Sequence, residues 1–78
     1  MRKQYTVSQA SNAFQRWVTT YHDGVTIRRD KIWVDDYADY ADKIEAEGYE
    51  KAYKKEEVQK AKEEYERKLV RQLVEVKR

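Results

Sequence analysis

The stretch ASNAFQRWVTTY, residues 10–21, decides the fold that the sequence predicts. Its apolar side chains recur at the spacing of one helix face, and they are Ala10, Ala13, Phe14, Trp17, Val18 and Tyr21. Steps of three and four residues place side chains on one side of an α-helix. His22, Asp23 and Gly24 follow at once, and Gly24 supplies the backbone conformation that ends a helix. The pattern therefore predicts a helix over residues 10–21.

The segments on either side of this helix are typical of strands. Residues 4–7 alternate with an aromatic and a β-branched residue, which indicates a short strand that Ser8 ends as a helix N-cap. Residues 25–27 and 32–34 are two β-branched or aromatic runs, and the polar residues 28–31 separate them. Two such runs across a polar turn predict a β-hairpin with its tip at residues 28–31.

The C-terminal half predicts two more helices. Asp35 and Asp36 can cap the first one, and Gly48 ends it. Its apolar side carries Tyr37, Tyr40, Ala41 and Ile44. The second helix is long and amphipathic, and its apolar face carries Val58, Ala61, Tyr65, Leu69, Leu73 and Val76. Together these elements predict an α+β, mainly helical fold: a short N-terminal strand, a helix, a β-hairpin, an acidic helix and a long C-terminal amphipathic helix.

Residues 49–53 leave two alternatives open for the last helix. Tyr49, Ala52 and Tyr53 are out of phase with its apolar face by about half a turn at 100° per residue. The helix either breaks near Lys54 and Lys55 or packs against two neighbours.

Length and composition predict one small domain over residues 1–78. A chain of this size is near the limit at which one core stabilises a fold, so a homodimer is possible. The chain has no Cys, which excludes a disulfide framework and a thiolate metal site. Its N-terminus lacks the apolar run of a signal peptide, and no stretch is apolar enough to span a membrane. We therefore expect a cytoplasmic protein without membrane contact.

Charge is segregated along the chain, although the net charge is only +2. Residues 1–34 hold six Lys and Arg against two Asp, whereas residues 35–48 hold one Lys against six acids. The acidic segment reads DDYADYADKIEAE, and helical spacing aligns Asp35, Asp39 and Asp42 on one face. Such a row can imitate the phosphates of a nucleic acid or dock in a basic protein groove.

This segment predicts a contact with a protein that has a basic or nucleic-acid-binding surface. The residues predicted to make the contact are Asp35, Asp36, Asp39, Tyr40 and Asp42. The alternative is a solvated helix face whose first aspartates favour the positive end of the helix dipole. A metal site is not predicted, since the segment lacks the glycine and the ligand spacing of a calcium loop.

Three basic residues, Arg28, Arg29 and Lys31, lie at the predicted hairpin tip. A basic tip can lie along a phosphate backbone, so these residues are the candidates for DNA contact. An ordinary solvated turn is the alternative, because Asp30 lies among them. The aromatic residues Trp17, Tyr21, Tyr37, Tyr40 and Tyr65 have core-like helical spacing, which favours packing over base stacking.

The sequence predicts no enzyme, no catalytic residue and no cofactor. The single histidine, His22, lies beside Gly24 in a predicted turn, and Ser8 and Ser11 have no evident base. Carboxylates are numerous, but no pair has the opposed environments that acid–base chemistry needs.

Three short segments resemble a known order of elements. Residues 5–10, 16–18 and 34–37, with the hairpin between the last two, resemble excisionase-like and MerR-like winged-helix domains. In those families a helix-turn-helix lies between the opening helix and the wing, and its second helix reads the major groove. Here the interval fits one uninterrupted helix, so the recognition helix has no counterpart. The resemblance implies that Arg28, Arg29 and Lys31 form a basic wing that contacts phosphate.

In profile the chain is also similar to small accessory proteins of phages and mobile elements, among them anti-CRISPR proteins. The shared features are short length, absence of Cys, abundant Tyr and segregated charge. This likeness implies an inhibitor or regulator that blocks a nucleic-acid-handling protein through the acidic helix. The alternatives are a winged-helix-like DNA-binding accessory protein or transcription regulator that uses the basic hairpin, and a helical module that forms a homodimer through the face of residues 58–76.

Overall fold

The computed structural model describes residues 2–76, which form a four-stranded mixed sheet and two α-helices. The elements in chain order are β1 (Lys3–Gln9), β2 (Gln15–His22), β3 (Val25–Trp33), a 3₁₀ helix (Val34–Asp36), α1 (Tyr37–Ala46), β4 (Glu50–Lys51) and α2 (Lys55–Val76). The strand order in the sheet is β3-β2-β1-β4. Strands β1 and β3 each run antiparallel to β2, and β4 runs parallel to β1.

The fold is α+β, and the prediction of a mainly helical chain is wrong. The helix predicted over residues 10–21 is a loop followed by β2, an inner strand between β1 and β3. Val18, Thr19 and Thr20 are β-branched, and such residues favour a pleated, half-buried strand. Val18 pairs with Val7 of β1 and with Asp30 of β3, and its side chain is fully buried. Pairing on both edges therefore outweighs the helical spacing.

The predicted hairpin is also misplaced. The turn between β2 and β3 is formed by Asp23 and Gly24, whose φ angles are 50° and 81°. Positive φ at both central residues is the requirement of the type I′ turn that joins antiparallel strands. His22 and Val25 pair directly across this turn. Residues 28–31, predicted to form the tip, lie inside β3 and pair with β2.

Helix α1 is the predicted acidic helix, and it ends as predicted. Gly48 follows it with φ of 99°, and the Tyr49 amide donates a hydrogen bond to the Ile44 carbonyl. The predicted capping is wrong, because Asp35 and Asp36 belong to the 3₁₀ helix and the Asp36 side chain makes no cap hydrogen bond.

The core lies between α1 and one face of the sheet. Tyr5, Val18 and Ile44 are its buried residues, and Val7, Ile32, Tyr37, Tyr40 and Tyr49 pack against them. Two hydrogen bonds fasten the helix to the strands. The Tyr5 hydroxyl donates to the Glu45 carboxylate, and the Tyr40 hydroxyl donates to Asp30 Oδ2 at 2.9 Å. The position of α1 on the sheet is thus fixed by both apolar and polar contacts.

Helix α2 begins at Lys55, and residues 49–53 are not helical. Of the two alternatives, the structure thus has the break near Lys54 and Lys55. Only its first part packs on the domain. Val58 and Ala61 are buried, whereas the side chains of residues 62–72 are exposed. Tyr65, predicted to be in the core, is 41% exposed. The molecule is accordingly elongated, with extents of 55 × 25 × 17 Å.

The face of α2 predicted to form a homodimer is therefore exposed at Tyr65 and Leu69. The side chains of Leu73 and Val76, its last two members, lie outside those that the structure describes. The homodimer stays a prediction. Met1, Lys77 and Arg78 of the predicted 1–78 domain also lie outside the described residues.

The two core hydroxyls predict a loss of stability in alkali. Burial and then the hydrogen bond to Glu45 raise the pKa of Tyr5. Burial and then the hydrogen bond to Asp30 raise the pKa of Tyr40. An unfolded chain releases these protons near about pH 10, while the folded chain retains them to higher pH. The stabilisation is complete below about pH 10, and we expect it to fall as the pH rises above that value.

Urea unfolding at pH 8, 10 and 11 measures this loss, and removal of one hydroxyl is expected to cost about 1 kcal/mol at pH 8. We expect the Tyr5→Phe/Tyr40→Phe variant to lose less stability between pH 8 and 11 than the wild type. Tyr53→Phe, at an exposed ring, is the matched control. The assignment is wrong if the double variant shows the same alkaline loss as the wild type.

Candidate functional site

Four aspartates form an acidic surface on the helical side of the molecule. Asp35 and Asp36 lie in the 3₁₀ helix, and Asp39 and Asp42 lie in α1. All four are exposed, and none forms an ion pair with a described cation. The structure thus brings together four of the five residues predicted to contact a protein. Their carboxylates are available to a partner.

Tyr40, the fifth of those residues, lies apart from the acidic surface. Its ring packs against the core, and its hydroxyl is bound to Asp30. Tyr40 therefore holds α1 against the sheet and is not one of the exposed residues of the acidic surface.

The three predicted DNA-contact residues are divided between the two faces of the sheet. Arg28 pairs with Thr20 and lies on the α1 side, where it forms an ion pair with Asp30. The hydrogen bond and the charge of that carboxylate raise the pKa of Arg28. Arg29 and Lys31 alternate with these residues along β3, so they lie on the opposite face.

Trp17 lies beneath those two cations. The Arg29 guanidinium carbon is 4.1 Å from the centroid of the indole ring, and Lys31 Nζ is 5.1 Å from it. Both distances are within the range of about 6 Å for cation–π attraction. Helical spacing predicted Trp17 on the buried face of a helix. The missed signal is the alternation from Trp17 through Val18 to Thr19, which sends Trp17 and Val18 to opposite faces of a strand.

The face of the sheet opposite α1, which we call the open sheet face, carries no carboxylate along β1 to β3, and Glu50 of β4 lies on the same face because it pairs with Gln4. Its members along β1 to β3 are Gln4, Thr6, Ser8, Gln15, Trp17, Thr19, Tyr21, Thr26, Arg29, Lys31 and Trp33, of which Gln4 is buried. Asp30 is the acidic residue of strands β1 to β3, and it lies on the α1 side. Trp33, opposite Gln15, is 56% exposed. The open sheet face therefore combines cations, aromatic rings and hydroxyl groups.

A groove of about 510 Å³ runs along one side of the open sheet face. Sheet residues that line it include Thr6, Thr19, Tyr21 and Arg29, and the opposite wall includes Tyr53, Lys54 and Lys55. The Tyr53 ring is 79% exposed, and Lys51 Nζ lies 5.2 Å from its centroid. Residues from β4 to the start of α2 thus extend the cationic and aromatic character of the sheet. Sequence reasoning missed these residues because their neighbourhood depends on the pairing of β4 with β1.

The single histidine has a structural environment. His22 ends β2, and its Nε2 lies 2.8 Å from the Tyr49 hydroxyl. Within residues 2–76, no three His, Cys, Asp or Glu residues are grouped to hold a metal ion. No helix of that part of the chain is long and apolar enough to cross a membrane.

Comparison with protein-family models, curated proteins and solved structures gives no match to the chain. The structure presents two candidate binding surfaces, the acidic surface and the open sheet face. The acidic surface belongs to the helical layer on one side of the sheet, and the open sheet face lies on the other.

Proposed function

We propose that the protein is a non-catalytic inhibitor or regulator that blocks a nucleic-acid-handling protein through the acidic surface. The observation that carries this proposal is the set of four exposed aspartates, which make no ion pair with a described cation. Unneutralised charges on one surface repel each other and attract a cationic partner. The small phage and mobile-element proteins that the chain is similar to in profile act in this way.

The mean axial spacing of the charges is close to that of nucleic acid phosphates, with steps of one, three and three residues between them. Four carboxylates lie between residues 35 and 42, a length of about 10 Å at a rise of about 1.5 Å per residue. This is about one charge per 3 Å, close to the spacing of about 3.4 Å for one strand of B-DNA. A groove that holds a row of phosphates therefore offers cations at a suitable spacing for Asp35, Asp36, Asp39 and Asp42.

The support beneath the carboxylates is ordered before binding. Ile44 is buried in the core, and Tyr5 and Tyr40 hydrogen bond Glu45 and Asp30 across the interface between α1 and the sheet. A preorganised surface loses less conformational entropy on association. The partner class is a protein with a groove of lysines and arginines that otherwise holds nucleic acid.

Affinity capture with competition by duplex DNA tests the proposal. The wild-type chain and an Asp36→Asn/Asp39→Asn/Asp42→Asn variant are used as baits in a nuclease-treated bacterial lysate. We expect the wild type to retain a protein that added duplex DNA displaces, and the variant to bind that protein about tenfold or more weakly, because charge pairs at interfaces contribute over about 1 kcal/mol each.

The matched control is Glu56→Gln/Glu63→Gln/Glu66→Gln, which removes three exposed carboxylates from α2 instead. Urea unfolding confirms that each bait is folded. The proposal fails if the folded Asp→Asn variant retains the same protein as strongly as the wild type, or if the control loses it equally. Retention that DNA does not displace also contradicts it.

A further inference from the structure

The open sheet face has the composition of a surface that binds a polyanion. Arg29 and Lys31 lie on it, and Lys54 and Lys55 border its groove. None of the four forms an ion pair with a described carboxylate. No acidic residue lies on this face of β1 to β3, so a chain of phosphates that crosses these three strands meets no like charge. Glu50 of β4 and Glu57, whose carboxylate accepts a hydrogen bond from the Tyr53 amide, lie at its β4 side.

The aromatic residues of the same surface indicate what the polyanion carries besides charge. Trp33 and Tyr53 expose most of their rings to solvent, although burial of such rings is favourable. The Arg29 guanidinium carbon lies 4.1 Å from the centroid of the Trp17 ring, and the Arg29 side chain is exposed. Exposed rings and guanidinium planes are the groups on which unpaired bases stack.

We infer that the open sheet face binds single-stranded nucleic acid, with bases stacked on Trp33, Tyr53 and the Arg29 guanidinium and with phosphates held by Lys31, Lys54 and Lys55. The bases of a duplex are already stacked on one another, so a duplex can use the cations but not the rings. Single-stranded nucleic acid is therefore expected to bind this face more tightly than double-stranded DNA, which contacts it through phosphates alone.

The dimensions of the surface fit a short segment. Four strands about 4.8 Å apart place the β3 and β4 edges about 14 Å from each other. Phosphates of a stacked strand are spaced by about 3.4 Å, so about four nucleotides cross the face. The hydroxyls of Thr6, Ser8 and Thr19 lie along this path and can donate hydrogen bonds.

This site goes beyond the proposed function and is independent of it. The open sheet face and the acidic surface lie on opposite sides of the sheet, so a nucleic acid and a protein do not compete for the same residues. A loss of one activity therefore leaves the other intact.

Fluorescence anisotropy with labelled oligothymidylate and oligouridylate of about 12 nucleotides, and with a duplex of the same length, tests the inference. We expect binding of the single strands at about 50 mM salt, weaker binding of the duplex, and a slope of log affinity against log salt of about −2 for the three phosphate contacts. The DNA and RNA arms show whether the 2′-hydroxyl contributes.

Two variants separate the roles of charge and stacking. Lys31→Gln is expected to reduce the salt slope by about 0.7. Trp33→Ala/Tyr53→Ala is expected to weaken single-strand binding at least tenfold, since each stacked base contributes about 1–3 kcal/mol, and to leave the slope unchanged. Both changes are made at exposed side chains, and Trp17, which is half-buried, is left in place.

Matched controls come from the same chain. Arg28→Gln makes the same charge change on the same strand but on the α1 side, and Tyr65→Ala removes an exposed ring on α2. The Asp36→Asn/Asp39→Asn/Asp42→Asn variant is expected to keep full single-strand affinity. The inference is overturned if no single strand binds at low salt, if the duplex binds as tightly, or if Arg28→Gln weakens binding as much as Lys31→Gln.

Discussion

A Gly24→Ala variant is expected to lose about 2–6 kcal/mol of unfolding free energy, the sum of backbone strain and steric overlap. Gly24 has φ of 81°, a conformation that L side chains rarely adopt. A Cβ at this position lies 2.3 Å from Lys62 Cβ and 2.8 Å from the Lys62 backbone nitrogen. Helix α2 therefore rests directly on the β2–β3 turn. Its backbone cannot withdraw without exposing Val58 and Ala61, which are buried.

Gly48→Ala separates the two costs. Gly48 also has positive φ, at 99°, but a Cβ there meets only Lys3 Cδ, at 3.8 Å. This variant is expected to lose about 1–3 kcal/mol from backbone strain alone. Urea unfolding of both variants is the measurement. Equal losses at the two positions would mean that α2 does not pack on the turn. Because a chain of 78 residues has about 4–12 kcal/mol in total, the difference is readily resolved.

The same turn explains why residues 10–21 were predicted to be a helix. Asp23-Gly24 is a strong hairpin signal when strands flank it, and it is also a normal helix end. The preceding residues fit both patterns, because β2 is buried at Val18 on one face and half-buried at Trp17 on the other. A strand with large side chains on both faces loses the polar alternation that identifies it. The β-branched run from Val18 to Thr20 was the local signal that favoured the strand.

Elements defined by local chemistry were predictable, and elements defined by distant pairing were not. Helix α1 has its own periodicity and its own glycine stop, Gly48, so the sequence suffices for it. Strand β4 is two residues long and exists because Glu50 and Lys51 pair with β1, far away in the chain. No local pattern encodes that contact.

The candidate surfaces divide in the same way. The acidic surface is contiguous in sequence, so charge counting finds it. The open sheet face requires the strand assignment, because alternation along β3 separates Arg29 and Lys31 from Arg28. It also requires the pairing of β4, which brings Tyr53 beside strands that are distant in sequence.

Tyr5→Ala is expected to lose about 3–5 kcal/mol of unfolding free energy, the usual cost of removing a buried aromatic ring. Tyr5 is 1% exposed and contacts the Val18 and Ile44 cluster, so its removal leaves a cavity between the sheet and α1. The hydrogen bond to Glu45 is lost as well. Thermal or urea unfolding measures the loss, and Tyr53→Ala, at an exposed ring, is expected to change stability by no more than about 0.5 kcal/mol.

Tyr5→Phe shows how much of this loss belongs to the ring. It keeps the packing and removes the hydroxyl, so about 1 kcal/mol is expected. If Tyr5→Ala lost no more than Tyr5→Phe, the ring would not support α1 and the position of the acidic surface would need another explanation. If the losses differ as expected, one side chain of β1 holds in place the helix that presents Asp39 and Asp42. Partner capture by Tyr5→Ala should then weaken in parallel with its folded fraction, whereas the folded Asp→Asn variant loses capture without losing stability.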